Sequence, residues 1–412
     1  MSPSPVIAVI GGGAAGYFGA INAAENRPDA RVVILEATRR TLTKVKISGG
    51  GRCNVTHHCF DPAKLVENYP RGRRELRGPF AKFQPRDTVA WFAARGVELK
   101  AEADGRMFPV SNSSQTIIDC LEGAAKKAGV EICLGESVMT MERHGPKLRL
   151  QLKSGDSIDA DSVLLATGSA PQGVALASAL GHAIVPPVPS LFTFNVKDPR
   201  LADLAGVSFD QVRLDLDPGD GEARLTRDGP LLITHWGLSG PAVLKLSAFG
   251  AIRLHGSRYK AALRINFLGG VREDIVLGQL MSYKAQHPKR TIIGHHPFDN
   301  IPRRFWQRLV EVSGASDTLT YADAAKATFS RLAQELAGGL YEVDGKGVFK
   351  EEFVTAGGVA LSEVDFRTMS SLLVPGLYFA GEVLDIDGIT GGFNFQAAWT
   401  TSFLAAQAMA TR

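Results

Sequence analysis

A chain of 412 residues, 45% hydrophobic and 21% charged, is long enough for two or three domains with sizeable cores, which excludes a disordered tail and a disulfide-stapled miniprotein. The 46 basic and 42 acidic residues leave a net charge of +4, too small to announce nucleic-acid or membrane binding by bulk charge. Cys53, Cys59, Cys120 and Cys133 form no Cys-x-x-Cys pair and no zinc spacing, so a reduced, cytoplasmic chain without a metal is expected.

The apolar stretch from Val6 to Ala24 has no Lys or Arg before it, contains glycines, and ends at Asn22 and Glu25. It is therefore read neither as a signal peptide nor as a membrane span. Val6 to Ile10 predicts a buried strand, and Tyr17 to Asn26 a helix. Between them Gly11, Gly13 and Gly16 fit G-x-G-x-x-G, in which the first glycine allows a tight turn, the second lets a pyrophosphate approach the backbone, and the third lets helix and strand pack closely. A second apolar run, Val32 to Leu35, ends at Glu36, where a carboxylate can bind ribose hydroxyls. A dinucleotide site follows from this pattern, although FAD and NAD share it.

Lys46 to Asn54 is a glycine-dense loop in which Gly50 and Gly51 permit close approach of a flat ligand and Arg52 can pair with phosphate. Arg71, Arg73, Arg74, Arg77, Lys82 and Arg86, interleaved with Tyr69, Phe80 and Phe83, form a basic and aromatic segment that invites an RNA reading beside that of a solvated helix face. Val163 to Ser169 predicts a strand ending in an Ala-Thr-Gly turn at Thr167 and Gly168. The prolines from Pro186 to Pro189 then break the α/β pattern. Short runs follow at Leu191 to Val196, Val212 to Leu216, Ala223 to Thr226, Leu231 to Thr234 and Ala262 to Phe267, as in a small β domain. Helix-period runs at Phe305 to Val312 and Ala322 to Leu336 indicate a helical segment. Phe353 to Val359 returns to the first domain. Last come a buried strand from Gly376 to Ala380, the pair Gly381-Glu382, a loop with Asp385 and Asp387, and Gly391 to Asn394 opening an apolar helix through Met409. A helix N-terminus there would stabilise an anion. The histidine pairs His57-His58 and His295-His296 lack a third ligand at metal spacing.

An N-terminal dinucleotide fingerprint closed by a C-terminal strand, Gly-acid pair and helix resembles FAD-binding flavoproteins of the glutathione-reductase-like superfamily. The stretches KISGGGRCNVT (Lys46 to Thr56), GRMFPVSN (Gly105 to Asn112), THWGLSGPAVL (Thr234 to Leu244) and GLYFAGEVLDIDGITGGFNFQAAW (Gly376 to Trp399) resemble one family more specifically: the BaiN-like, or aminoacetone-oxidase-like, NAD(P)/FAD-dependent oxidoreductases. Trp236, Leu372 and Phe393 depart modestly from the commoner Phe, Lys and Tyr. The resemblance implies an α/β fold: a discontinuous Rossmann-like FAD domain over 1–188 and 352–412, interrupted by a β domain over 189–275 and a helical segment over 276–351. It also implies FAD contacts at Gly11, Gly13, Ala15, Gly16, Glu36, Lys46, Gly50, Gly51, Arg52, Cys53, Asn54, Val138, Thr167, Gly168, Gly381, Glu382, Asp387, Gly392, Phe393 and Asn394.

A second G-x-G-x-x-G is absent, so NAD(P)H, as transient donor, must dock without a dedicated fold of that kind. Cys53 beside Arg52 is a candidate proton donor or flavin contact with a lowered pKa, against a buried packing thiol; a redox disulfide with Cys59 fits the spacing poorly. His235 is a candidate substrate-facing acid, against a histidine satisfied locally. The expected activity is NAD(P)H-driven reduction of an activated C=C bond. The alternatives are reduction of uridine to dihydrouridine in ribosomal RNA, with Arg71 to Arg86 gripping phosphates, and oxidation of an aminoketone.

Overall fold

The computed structural model describes residues 4–347 and 354–412. The chain divides into two compact units, one built from its two ends, up to Pro187 and from Val354 onward, and one from the stretch between. The expected return of the chain at Phe353 lies outside the described residues.

In the first unit the apolar runs become a parallel sheet. Strand β1 (Val6–Ile10) pairs with β2 (Arg31–Glu36) on one side and β4 (Ser162–Leu165) on the other. Outside these lie β3 (Glu131–Leu134), beside β2, and β5 (Leu377–Phe379), beside β4. All of β4 and β5 and most of β1 and β2 is buried, because parallel strands are covered on both faces. Helix α1 (Ala14–Asn26) packs on the C-terminal helix α2 (Phe393–Thr411). Small residues make that approach possible: a Cβ at Gly19 would stand 2.5 Å from Leu164 Cδ2 and 3.4 Å from Ser402 Cβ. Phe18 then meets Trp91 at 4.5 Å and Trp399 at 5.2 Å, so both helices close on one aromatic cluster. Among the described residues no helix is long and apolar enough to cross a membrane, and no group of His, Cys, Asp and Glu could hold a metal.

The second unit is a six-stranded antiparallel sheet in the order Phe194–Asn195, Gly237–Ser239, Leu225–Thr234, Ser208–Asp217, Lys260–Asn266, Gly339–Asp344. The runs read as separate strands at Ala223 to Thr226 and Leu231 to Thr234 form one strand. Gly229-Pro230 between them looked like a turn, yet Gly229 pairs with Val212 beside a bulge. The strand Gly339–Asp344 arises inside the stretch read as helical, where it pairs with Lys260–Asn266. Helices Pro241–Gly256, Glu273–Gln286, Arg303–Val312 and Lys326–Gly338 complete the unit. Sheet and helices share one core, in which Phe267 contacts both Phe209 (4.9 Å) and Phe305 (4.4 Å).

Candidate functional site

The carboxyl ends of β1, β2 and β4 form the crevice where open α/β sheets bind ligands. Gly11 has φ +108, and a Cβ there would lie 2.6 Å from Ala166 O; at Gly16 a Cβ would lie 1.8 Å from Gly11 O. These two glycines are required by the turn itself. Gly13 differs: a Cβ there would meet nothing within 4 Å, so open space lies over the second glycine of the fingerprint. No side chain caps the amides of α1 that begin at this point. Glu36, at the end of β2, accepts from Gly12 N (2.7 Å) and Thr38 N (2.8 Å), which holds its carboxylate at the mouth of the turn. Thr167 leaves a buried Oγ1 without a partner at the end of β4.

The C-terminal segment meets this crevice. Gly381 has φ +73, and a Cβ there would stand 3.2 Å from Ala15 Cβ, so the start of α1 and the Gly-acid turn are in close approach. Glu382 accepts from Lys44 Nζ (2.6 Å) and Thr355 N (2.9 Å), and Lys44 also donates to Ser169 Oγ (2.9 Å) beside Gly168. Lys44 went unnoticed in the sequence, since nothing in local spacing pairs it with Glu382. In the glycine loop Gly49, Gly50 and Gly51 all have positive φ, and Gly50 and Gly51 have open space where a Cβ would be. Asn54 bridges this loop to α2: its amide, turned to face Thr56 O, donates to that carbonyl (3.1 Å) and accepts from Gly392 N (2.9 Å). Phe393 stacks on His57 at 4.6 Å, and Asn394 exchanges two hydrogen bonds with the Gly388 backbone.

Other expected residues are differently engaged. Lys46 is exposed, and its backbone is held on both sides, its N–H donating to Leu42 O (3.0 Å) and its carbonyl accepting from Ser114 Oγ (2.8 Å). Val138 is buried, and its carbonyl accepts from Gln172. Arg52, expected on a phosphate, donates to Glu102 (2.6 Å) and stacks over Phe108 (3.9 Å). Asp387 is fully buried with both oxygens on Arg71, a pair that spacing could not reveal. Asp385 accepts from Gly357 N (3.0 Å), and burial raises its pKa.

Of the two readings of Cys53, an acidified proton donor or flavin contact and a buried packing thiol, its surroundings fit the second: burial pushes its thiol up to about 12, and a side-chain hydrogen bond with Ser48 opposes this without cancelling it. The Arg52 charge that should have helped is spent on Glu102. Cys53 and Cys59 are both free thiols. In the basic segment Arg73, Arg74, Arg77, Lys82 and Arg86 are exposed, but Tyr69, Phe80 and Phe83 belong to the core, so no aromatic of this segment is available for base stacking.

In the second unit His235 is exposed in the turn between Leu225–Thr234 and Gly237–Ser239, where it lines a cavity of about 860 Å³.

The comparisons with known proteins decide the family. The model described as HI0933-like protein Rossmann domain matches residues 5–408. The chain belongs to the HI0933-like family. It is an FAD-dependent oxidoreductase. It is 31% identical to the 3-dehydro-bile acid delta(4,6)-reductase of Clostridium scindens, over 98% of this chain and 99% of the relative. It is 29% identical to the ribosomal RNA dihydrouridine synthase of Escherichia coli, over 97% of this chain and 96% of that one. In fold it resembles 3-ketosteroid delta1-dehydrogenase from Sterolibacterium denitrificans, with a TM-score of 0.50 at 12% identity, covering 98% and 99% of the two chains.

The crevice of this HI0933-like chain fits the cofactor. A pyrophosphate would find the open floor at Gly13 and the amides of α1. Thr167 Oγ1 lacks a partner, Glu36 stands where a ribose would lie, and α2 likewise begins without a capping side chain. Arg52 contributes no free charge to this fit.

Proposed function

We propose that this enzyme reduces an activated carbon–carbon double bond in a small molecule, with electrons supplied by NAD(P)H. The observation that carries this reading is the near full-length relationship to a curated delta(4,6)-reductase. The second curated relative is named for making dihydrouridine, which also differs from its precursor by saturation of one ring double bond. Bound FAD would supply hydride acceptance and donation. The chain's own residues do the rest. Amides at Gly13 and Ala14 would hold the pyrophosphate and Glu36, kept in place by the Gly12 amide, would face a ribose, while Glu382 is fixed by Lys44 and Thr355. The start of α2, tied to the glycine loop through Asn54, presents uncapped amides that favour negative charge on a reduced ligand. Burial keeps the Cys53 thiol protonated, so it is a packing group rather than a nucleophile.

The test is anaerobic titration of the holoenzyme with NADH and with NADPH, followed by a conjugated ketosteroid or unmodified ribosomal RNA. Bleaching of the flavin by one donor and recovery with an acceptor supports the reading. Failure of both donors to bleach it sinks the reading.

The dihydrouridine relative and the five exposed cations from Arg73 to Arg86 favour a second reading, in which the acceptor is uridine in RNA. RNA binding would then weaken steeply with salt. Replacing Arg73, Arg74 and Arg77 by Gln without loss of RNA affinity would count against it.

A further inference from the structure

We propose that Asp385 is the proton donor of the reduction, handing a proton to the carbon beside the one that receives hydride. This role rests on the reductase reading above and deepens it. Saturating a double bond takes a hydride and a proton; the flavin supplies the first, and an acid of the protein must supply the second.

Asp385 lies midway along a loop that runs from one helix start to the other. At the loop's upstream end a Cβ at Gly381 would stand 3.2 Å from Ala15 Cβ, in the first turn of α1. At its downstream end Gly388 exchanges two hydrogen bonds with Asn394, in the first turn of α2. The loop is held on both sides between these points. Asp385 N donates to Val359 O (3.1 Å), and Leu384 forms a parallel bridge with Val359. On the other side a Cβ at Gly72 would stand 2.7 Å from Ile386 Cγ1, so the segment carrying Arg71 and Glu75 packs directly on the loop. An acid on backbone fixed in this way keeps one position.

The other carboxyl groups of the crevice are fully engaged. Glu36 accepts from Gly12 N with one oxygen and from Thr38 N with the other. Glu382 accepts from Lys44 Nζ and Thr355 N, and both oxygens of Asp387 are on Arg71. The Tyr69 hydroxyl donates its proton to Phe393 O (2.6 Å), and the Cys53 thiol is sealed by burial. Asp385 differs. Its Oδ1 accepts from Gly357 N (3.0 Å), while Oδ2 has no hydrogen-bond partner among the described residues and is not closed off from solvent.

Its surroundings also keep the proton on. Burial raises the Asp385 pKa above the ordinary carboxyl value, and Glu75 adds to this; the Arg71 charge and the Gly357 amide oppose it without cancelling it. The strand Val354–Val359 that holds Gly357, and its neighbour Ile184–Ser190, bring no ionisable side chain. A half-buried acid with one open oxygen can give up a proton and regain it from water. With a conjugated ketone, hydride arriving at the β carbon leaves an enolate. The O–H bond of Asp385 then breaks as a C–H bond forms at the α carbon, and water reprotonates the carboxylate. The two electrons travel with the hydride and come from NAD(P)H.

The test uses holoenzyme photoreduced anaerobically, so that the donor question does not enter, mixed at varied pH with a conjugated ketosteroid or unmodified ribosomal RNA. Asp385→Asn keeps an oxygen for the Gly357 amide and removes the acid. It is expected to hold wild-type flavin content and to be reoxidised at least about a hundredfold more slowly. The wild-type rate is expected to fall as pH rises through the Asp385 pKa, because the acid must carry its proton, and the variant to lack that limb. An infrared pH titration of the oxidised holoenzyme needs no turnover: it should show a protonated-carboxyl band that outlasts the ordinary carboxyl range and is missing from Asp385→Asn. If Asp385→Asn loses its flavin, Asp385→Glu decides, since it keeps an acid in a shifted place and should retain the limb with a displaced midpoint. A wild type without the band, a limb that survives in Asp385→Asn, or an unmoved midpoint in Asp385→Glu overturns the role. If neither acceptor reoxidises the wild type, the reductase reading falls and takes this role with it. Turnover by the wild type that Asp385→Asn leaves unaltered refutes Asp385 alone.

Discussion

At the scale of single residues, space decides more than charge. A Cβ at Gly16 would fall 1.8 Å from Gly11 O, a backbone atom that cannot give way without opening the turn. Gly16→Ala is therefore expected to abolish FAD retention, measured as flavin per protein after gel filtration. Full occupancy in that variant would refute the cradle. Cys53 makes the opposite case. Its thiol is fully buried with a pKa of about 12, so it stays protonated throughout the working range. Cys53→Ala is expected to leave the shape of the pH–rate profile unchanged while costing about 1 kcal/mol of stability from lost packing. Loss of one limb of that profile would restore the thiol to the mechanism.

At the scale of elements, His182 links distant parts of the first unit. Its Nδ1 meets Glu363 Oε2 (3.0 Å) and its Nε2 meets Ser371 Oγ (3.0 Å), which in turn accepts from Val374 N (2.8 Å). Burial lowers the imidazole pKa below its ordinary 6.5, and Glu363 opposes that only in part. The unfolded chain therefore takes up the proton more readily than the folded one. The contribution of neutral His182 is complete above the unfolded value and declines as pH falls below it toward the folded pKa. Urea midpoints compared from about pH 7.5 to about pH 5.5 should fall more for the wild type than for His182→Asn. Equal declines would show that the imidazole is not the titrating group. This link was invisible in the sequence, as was the burial of Asp387 against Arg71, because the partners are far apart in the chain. What was legible had local causes: β-branched runs, glycines at fixed offsets, and an acid at the end of the second strand. The Leu225–Thr234 strand was missed because Gly229-Pro230 is a turn signal locally, and only the bulge and the neighbouring strand make it continuous. The aromatics near Arg73 misled for a related reason: composition places Tyr69, Phe80 and Phe83 beside cations, but only the packed core decides which way they face.

At the scale of the whole molecule, the first unit is assembled from chain ends that the second unit separates. Its sheet needs β5 beside β4, and its first helix needs α2, so the C-terminal segment completes the core begun by the N-terminal one. Each unit has its own hydrophobic core, and every residue assigned here to the FAD crevice lies in the first. The chain leaves this unit in the strand Ile184–Ser190 and re-enters it in the strand Val354–Val359, and these two strands are hydrogen-bonded neighbours. A short flexible linker can therefore join Pro187 to Val354. We expect the excised protein, lacking 188–353, to fold and bind FAD, since neither its sheet nor its glycine turn draws on the insertion. Flavin content of the purified protein checks this. An excised protein that is soluble but flavin-free would place part of the cofactor's hold in the insertion.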